Sequence, residues 1–303
     1  MRCAVIGNCQ ARGVLASLRA FLPGAEGVLF DATTIGHGPE APARAAALAE
    51  GLSGFDHIFA HPLHGARFGP LAFDRLAARG DVTFVPSITF TGYHPDCVYL
   101  VAEGKQLRGP MGVYHSALAA TGFVLGLSEE RTARLFNPLV LRRLGYLDVH
   151  AQSRALLVRD FAALGYDLAA RFEAWERDGA FMHVINHPRI LPIADTCRMA
   201  LERAGLGAFP LEAAREVPDP LARQQIWPVY PAIARAIGLA GSWEFRPTAR
   251  SARPVVPMTL EEFVAQSFAA YAEMPDKVAT ALRAHAGAAR VLDRLPRILE
   301  PAA

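Results

Sequence analysis

The first 85 residues alternate short apolar runs with helical patterns, and few architectures accept that alternation. Residues 3–6, 27–30, 55–60 and 82–85 are short, apolar and bounded by turn residues, as strands are. Between them a helix is predicted from Gln10, with Val14, Leu15, Leu18, Phe21 and Leu22 at three- and four-residue spacing. Further helices are predicted over the Ala-rich stretch 39–52 and over 71–78. Strand and helix alternating at this spacing predict an α/β fold with a parallel sheet and helices on both faces. The G-x-G-x-x-G fingerprint of dinucleotide-binding sheets is absent.

From Tyr114 onward helical periodicity dominates. Helices are predicted over 116–127, from Ser128, and over 149–164, 167–176 and 190–204. Thr259 and Glu262 fit a capping box that opens a helix to about Glu273. A last helix is predicted over 276–295, stopped by Pro296. Residues 181–185 alternate and read as a strand returning to the sheet. Residues 216–231 read as an irregular crossing segment and 250–257 as a Pro-rich connector. The expected organisation is an α/β core over 1–112 and a mainly helical portion over 113–303, packed on that core.

Composition narrows the function classes. A 52% apolar and 20% charged chain of 303 residues buries an ordinary core. The net charge of +2 gives no reason to expect a nucleic-acid partner or a general affinity for anionic membranes. No run of about 18 apolar residues occurs, so no membrane span is expected. The chain enters a strand at once, without the pattern of a signal peptide, and a cytoplasmic location with reduced thiols is expected. The four cysteines show neither a C-x-x-C pair nor ligand spacing. His57, His61 and His64 lack a nearby acidic or thiol partner, so they suit a structural or substrate-lining role and no metal is expected.

Three polar clusters fall where predicted strands stop: Asn8-Cys9-Gln10, Tyr93-His94-Pro95-Asp96 and Asn186-His187-Pro188. Loops at the carboxyl edge of a parallel sheet converge, and ligands collect there. Gly7 permits a turn that a side chain would hinder. A thiol at a helix N-terminus lies at the positive end of the dipole, which favours the thiolate of Cys9. Asn8, Gln10 and the first-turn amides supply donors for an oxyanion. Together the clusters offer a nucleophile or amide donors, an imidazole base and a carboxylate to orient it.

Val5-Ile-Gly-Asn-Cys-Gln-Ala11, Gly92-Tyr-His-Pro-Asp96 and Asn186-His-Pro188 resemble the WcbI family of polysaccharide biosynthesis proteins. The resemblance spans the first two-thirds of the chain. It implies a coenzyme A-binding protein that transfers an acetyl group from acetyl-coenzyme A to a sugar hydroxyl of a capsule or other polysaccharide. Under that reading His94 or His187 is the base, and Asp96 orients an imidazole or contacts the sugar. Gly7, Asn8, Gln10, Arg12 and Lys105 bind coenzyme A; Asn8, Gln10 and the first-turn N–H groups line the oxyanion site, and Arg12 and Lys105 meet the phosphates. Tyr93 and Asn186 contact the acceptor glycan, while Cys9 is either a transient acyl carrier or a neutral wall. An esterase of SGNH type using the same cleft and a non-catalytic sugar- or nucleotide-binding accessory protein are the competing readings.

Overall fold

The computed structural model describes residues 1–249 and 255–300, so residues 250–254 of the expected Pro-rich connector lie outside the described residues. Contacts divide the chain into two units, each built from several segments. The first comprises residues 1–89, 157–181 and 187–221, and the second residues 90–156, 182–186 and 222–303.

The first unit carries the predicted sheet. Its strands are β1 (Arg2–Gly7), β2 (Glu26–Asp31), β3 (His57–Ala60) and β4 (Val82–Phe84), all parallel, in the order β2-β1-β3-β4. The connecting helices are α1 (Ala11–Phe21), α2 (Ala41–Glu50) and α3 (Phe73–Ala77). Side chains alternate across β1. Cys3 and Val5 pack with Phe59 against Val14, Leu15 and Leu18 of α1 and against Ile193, Cys197 and Leu201 of the helix Ile190–Arg203. Ala4 and Ile6 pack on the other face with Ile58, Ala41, Ala45 and Leu71. A strand covered on both faces must be apolar at every position, which is why β1 reads as an unbroken apolar run. Each such Val, Leu or Ile contributes about 1.5–3 kcal/mol by leaving water. A Cβ on Gly13 would lie 3.0 Å from two Ile193 carbons, so the absent side chain permits this close helix approach.

The second unit is mainly helical. It holds an antiparallel pair, Cys97–Tyr99 with Tyr114–Ser116, and a hairpin joining Val101–Ala102 to Lys105–Gln106. Its helices include Ala117–Val124, Pro138–Arg143 and Leu260–Ala272. Thr259 and Glu262 form the predicted capping box with both reciprocal bonds. Phe245 stacks on Phe263 at 4.0 Å, and Trp227 meets both rings edge-on.

Three expectations about these elements differ from the structure. The 182–184 strand forms, but it is not among the four strands of the parallel sheet. The last helical stretch is two helices, Pro275–Ala284 and Ala286–Leu299, broken at His285, whose Nδ1 caps the second by accepting from the Ala288 N–H at 3.2 Å. Pro296 lies inside that second helix and does not stop it. Its place in the last turns limits the disruption that its missing N–H causes.

Candidate functional site

In the order β2-β1-β3-β4, the chain leaves β1 in one direction to reach β2 and lies on the other side of β1 in β3. That reversal opens a crevice at the carboxyl edge, between the ends of β1 and β3. The loop after β1 is Asn8-Cys9-Gln10, and the residue after β3 is His61. The Asn8 N–H donates to His61 Nδ1 at 3.3 Å, joining the two strand ends. Asn8 Oδ1 accepts from the Gln10 N–H at 3.0 Å, and Asn8 Nδ2 donates to Ser87 Oγ, beyond β4, at 3.3 Å. Residues from three strand ends therefore meet through one asparagine.

Gly7 has a different purpose from the turn expected of it. It remains in β1 paired with Asp31, and a Cβ there would lie 2.3 Å from His61 Nδ1. The bare backbone is what lets the imidazole close over the strand end. His61 is 2% exposed, and burial lowers its pKa to about 4, so the ring is neutral at physiological pH. Because Nδ1 accepts from Asn8, the ring proton sits on Nε2, which has no hydrogen-bond partner.

Cys9 is partly exposed, whereas Cys3, Cys97 and Cys197 are buried. Burial raises the Cys9 pKa to about 11; the N–H groups of Cys9 and Gln10 pull it down, and the Asp31 carboxylate adds to the rise. The expected amide stabilisation is present, but desolvation exceeds it, and Cys9 is a neutral thiol. The expectation of a thiolate is thus reversed.

Gln10 also departs from expectation. It is 2% exposed; Nε2 donates to the Ile88 carbonyl at 2.8 Å, and Oε1 accepts from the Ile88 N–H at 3.0 Å. Its amide is consumed in clamping the start of α1 to the segment after β4, so its side chain is not an oxyanion donor. Arg12 is exposed and pairs with Asp31, at the end of β2, at 3.0 Å. Burial pushes the Asp31 carboxyl up, but Thr33 and Arg12 outweigh it and hold the group below its ordinary value. A cleft of about 470 Å³ adjoins this edge, lined by Pro62, His64, Phe73, Pro86 and Ser87 among others.

Tyr93, His94, Asp96, Lys105 and Asn186 belong to the second unit. Tyr93 is 0% exposed and packs against Phe90 and His150, so it is core and not a sugar contact. Asp96 is equally buried. It accepts from the Ser116 hydroxyl, from the Leu118 N–H at 2.9 Å, and from the hydroxyls of Tyr146 at 3.1 Å and Tyr230 at 2.9 Å. Burial raises its pKa against the pull of those donors. With its oxygens held this way it neither orients an imidazole nor reaches a sugar. His94 is buried, and desolvation, offset in part by the Trp227 backbone and reinforced by His183, lowers its pKa to about 3. Lys105 is exposed in the 101–106 hairpin, and Asn186 accepts from the Tyr114 hydroxyl at 2.7 Å. His187 is a buried residue of the first unit.

Neither Ser87 nor Asp31 is among the candidate residues expected from the sequence, where His61 stands only as a structural or lining residue. Asp31 ends β2, His61 follows β3 directly and Ser87 lies three residues beyond β4, and this nearness to a strand end is the one local signal they carry. Among the described residues no group of three His, Cys, Asp or Glu side chains is placed to hold a metal, and no described helix is long and apolar enough to cross a membrane.

No curated protein matches the chain. A solved structure of WcbI, a polysaccharide biosynthesis enzyme, matches with a TM-score of 0.70 at 20% identity, covering 99% of each chain. That structure is of the native protein without a disulfide bond between coenzyme A and one of its cysteines. At this identity the likeness is one of fold. The model of the WcbI polysaccharide biosynthesis enzyme family matches residues 2–208, and the chain therefore belongs to that family.

Proposed function

We propose that the carboxyl edge of the four-stranded sheet is an acyl-transfer site, passing an acetyl group from coenzyme A to a sugar hydroxyl in polysaccharide assembly. One observation carries the reading: of four cysteines, only Cys9 reaches solvent, and it does so at the switch-point crevice. The solved WcbI structure is described by reference to a bond between coenzyme A and a cysteine, which requires the cofactor's sulphur to come within bonding distance of a thiol. In this chain Cys9 is the thiol able to receive it. The donor set fits the same group. The Cys9 N–H lies against the Cys9 sulphur, Asn8 Nδ2 keeps a second hydrogen that the Ser87 bond does not use, and Arg12 stands exposed at the rim.

Coenzyme A supplies the activated thioester. The residues supply position and charge stabilisation. The Cys9 amide and Asn8 Nδ2 donate to the carbonyl oxygen as negative charge develops on it. Cys9, a neutral thiol, serves as a wall of the site, so the sugar oxygen attacks the acyl carbon directly and no acyl-cysteine forms. The base is assigned to His187, in the unit that holds Cys9. His94, with a pKa of about 3, is too weak a proton acceptor to assist a hydroxyl near neutral pH. The hydroxyl proton passes to the imidazole and then to the departing thiolate, which balances the reaction.

Isothermal titration of the purified protein with coenzyme A and acetyl-coenzyme A tests this. Micromolar binding that Arg12→Gln weakens, together with acceptor-dependent release of free coenzyme A that persists in Cys9→Ser and is lost in His187→Gln, is the expected result. Absence of binding at millimolar concentration refutes transfer. Release of free acetate without a sugar acceptor assigns the site to hydrolysis instead.

A further inference from the structure

The His-Pro-Asp motif lies in the second unit, beside a cavity of that unit. Pro95 and Tyr146 line a cavity of about 400 Å³ together with Asp148, Gln152, Arg290 and Arg294. Tyr146 is held from behind by its bond to Asp96, which Ser116, Leu118 and Tyr230 hold in turn. The Tyr146 side of the cavity is therefore fixed by a buried carboxylate with four donors. Arg290 and Arg294 are one helical turn apart on Ala286–Leu299, whose Val291 and Leu295 are buried and anchor that helix.

Neither arginine has a carboxylate partner among the described residues. Arg294 Nη1 reaches only the Leu144 carbonyl, at 3.5 Å, and Arg290 makes no ion pair. Elsewhere Arg12, Arg44, Arg79, Arg134 and Arg198 are each paired with an acid. Two uncompensated guanidiniums facing one concavity raise the local concentration of anions and bind carboxylate or phosphate oxygens in a planar fork. Asp148 and Gln152 add a hydroxyl acceptor and an amide with both donor and acceptor atoms. A ligand made only of phosphates would meet repulsion from Asp148, and an apolar ligand would strand four polar groups. A hydroxylated ring carrying an anionic group satisfies all of them.

We propose that this cavity binds a sugar bearing a carboxylate or phosphate, as the acidic segment of the acceptor. The proposal rests on the transferase reading, in which the acceptor is a glycan. The test is isothermal titration at low ionic strength of the full chain and of the Arg290→Gln/Arg294→Gln variant. The probes are a glucuronate-containing tetrasaccharide, its carboxyl-reduced counterpart, glucose 1-phosphate and coenzyme A. Both substituted side chains are exposed, so the variant should keep its melting temperature. The expected result is a preference of about 10-fold or more for an anionic probe over the reduced one. That preference is lost in the double variant and increased by Asp148→Asn. Preference for the tetrasaccharide assigns a uronate, and preference for glucose 1-phosphate assigns a sugar phosphate. Equal binding of charged and neutral probes, no sugar binding, or a preference that survives in the double variant overturns the proposal. Loss of coenzyme A affinity in the double variant also overturns it, giving the cavity to the donor and leaving the transferase reading intact. Absence of coenzyme A binding in the unaltered protein, with the anionic preference present, sinks the transferase reading and leaves this site standing.

Discussion

Cys9 allows the physical account of the site to be tested before any substrate is known. A thiol of ordinary pKa near 9 is about 10% thiolate at pH 8; at a pKa of about 11 the fraction is about 0.1%. Iodoacetamide reacts with the thiolate, so the lower population alone slows alkylation about 100-fold. The more basic thiolate is intrinsically more nucleophilic, which returns about 10-fold for a Brønsted slope near 0.5. The net slowing at pH 8 is about 10-fold, small enough for limited access to mimic. The pH profile is the sharper readout: the logarithm of the Cys9 rate should rise with unit slope from pH 7 to pH 10, without a plateau. Pulse labelling followed by peptide mass spectrometry measures it, with buried Cys3, Cys97 and Cys197 as slow internal controls. A plateau with a midpoint at or below pH 9 would mean that the amides of Cys9 and Gln10 overcome desolvation, and acyl-cysteine chemistry would return as the better mechanism.

Gly7→Ala places a carbon where the His61 ring sits and should cost about 1–3 kcal/mol in urea unfolding, with a smaller cost in a His61→Ala background; equal costs refute the contact. Gln10→Ala strips the Ile88 N–H and carbonyl of their partners and should cost about 1–3 kcal/mol while speeding Cys9 alkylation. Asp96→Ala leaves three hydroxyls and an N–H facing an empty site, so a loss of about 3–5 kcal/mol in stability is expected. An Asp96→Ala protein that melts normally but lacks activity would assign Asp96 a catalytic role. His61, His94 and His115 have pKa values depressed by burial to about 4, 3 and 4, against about 6.5 in the unfolded chain. Between those limits the unfolded state binds more protons, so each histidine lowers stability as pH falls below about 6.5, by up to about 1.4 kcal/mol per pH unit. Calorimetric melting from pH 7.5 to pH 5 should show that decline, and a flat profile refutes it.

The α/β half was legible because each of its rules is local. A strand covered on both faces must be apolar throughout, and the helix patterns of α1 and α2 carry their own period. The site was legible only where its residues are consecutive. Asn8, Cys9 and Arg12 stand beside the glycine that marks the strand end, but His61, Asp31 and Ser87 reach them through sheet order, which no window of sequence contains. Gln10 departs from its expected role because its partner is the backbone of Ile88, 78 residues away, and backbone atoms leave no trace in residue identity. Asp96 misled in the same way, since its donors come from residues 116, 118, 146 and 230. Tyr93 sits among turn-forming residues and reads as surface, yet Phe90 and His150 enclose its ring.

These contacts make Gly7 and Asn8 a single device. The first β1 position without a side chain admits the His61 ring, and the next residue uses its N–H to fix that ring, its carbonyl oxygen Oδ1 to hold the Gln10 N–H and its Nδ2 to reach Ser87. Gln10 then fastens the same loop to Ile88 through both amide atoms. The geometry of the Cys9 turn is therefore set by neutral hydrogen bonds to the ends of β3 and β4, and it does not depend on ionising the thiol. Had the site been built to make a thiolate, a cation within reach of the sulphur would be expected, yet the neighbouring charge acting on it is the carboxylate of Asp31, which opposes ionisation. The Arg12 guanidinium acts on that carboxylate through Nη2 at 3.0 Å and keeps its other donors exposed at the rim. A site that holds its cysteine neutral and its amides fixed is suited to steadying charge on an oxygen brought to it, which is what direct transfer from a thioester requires.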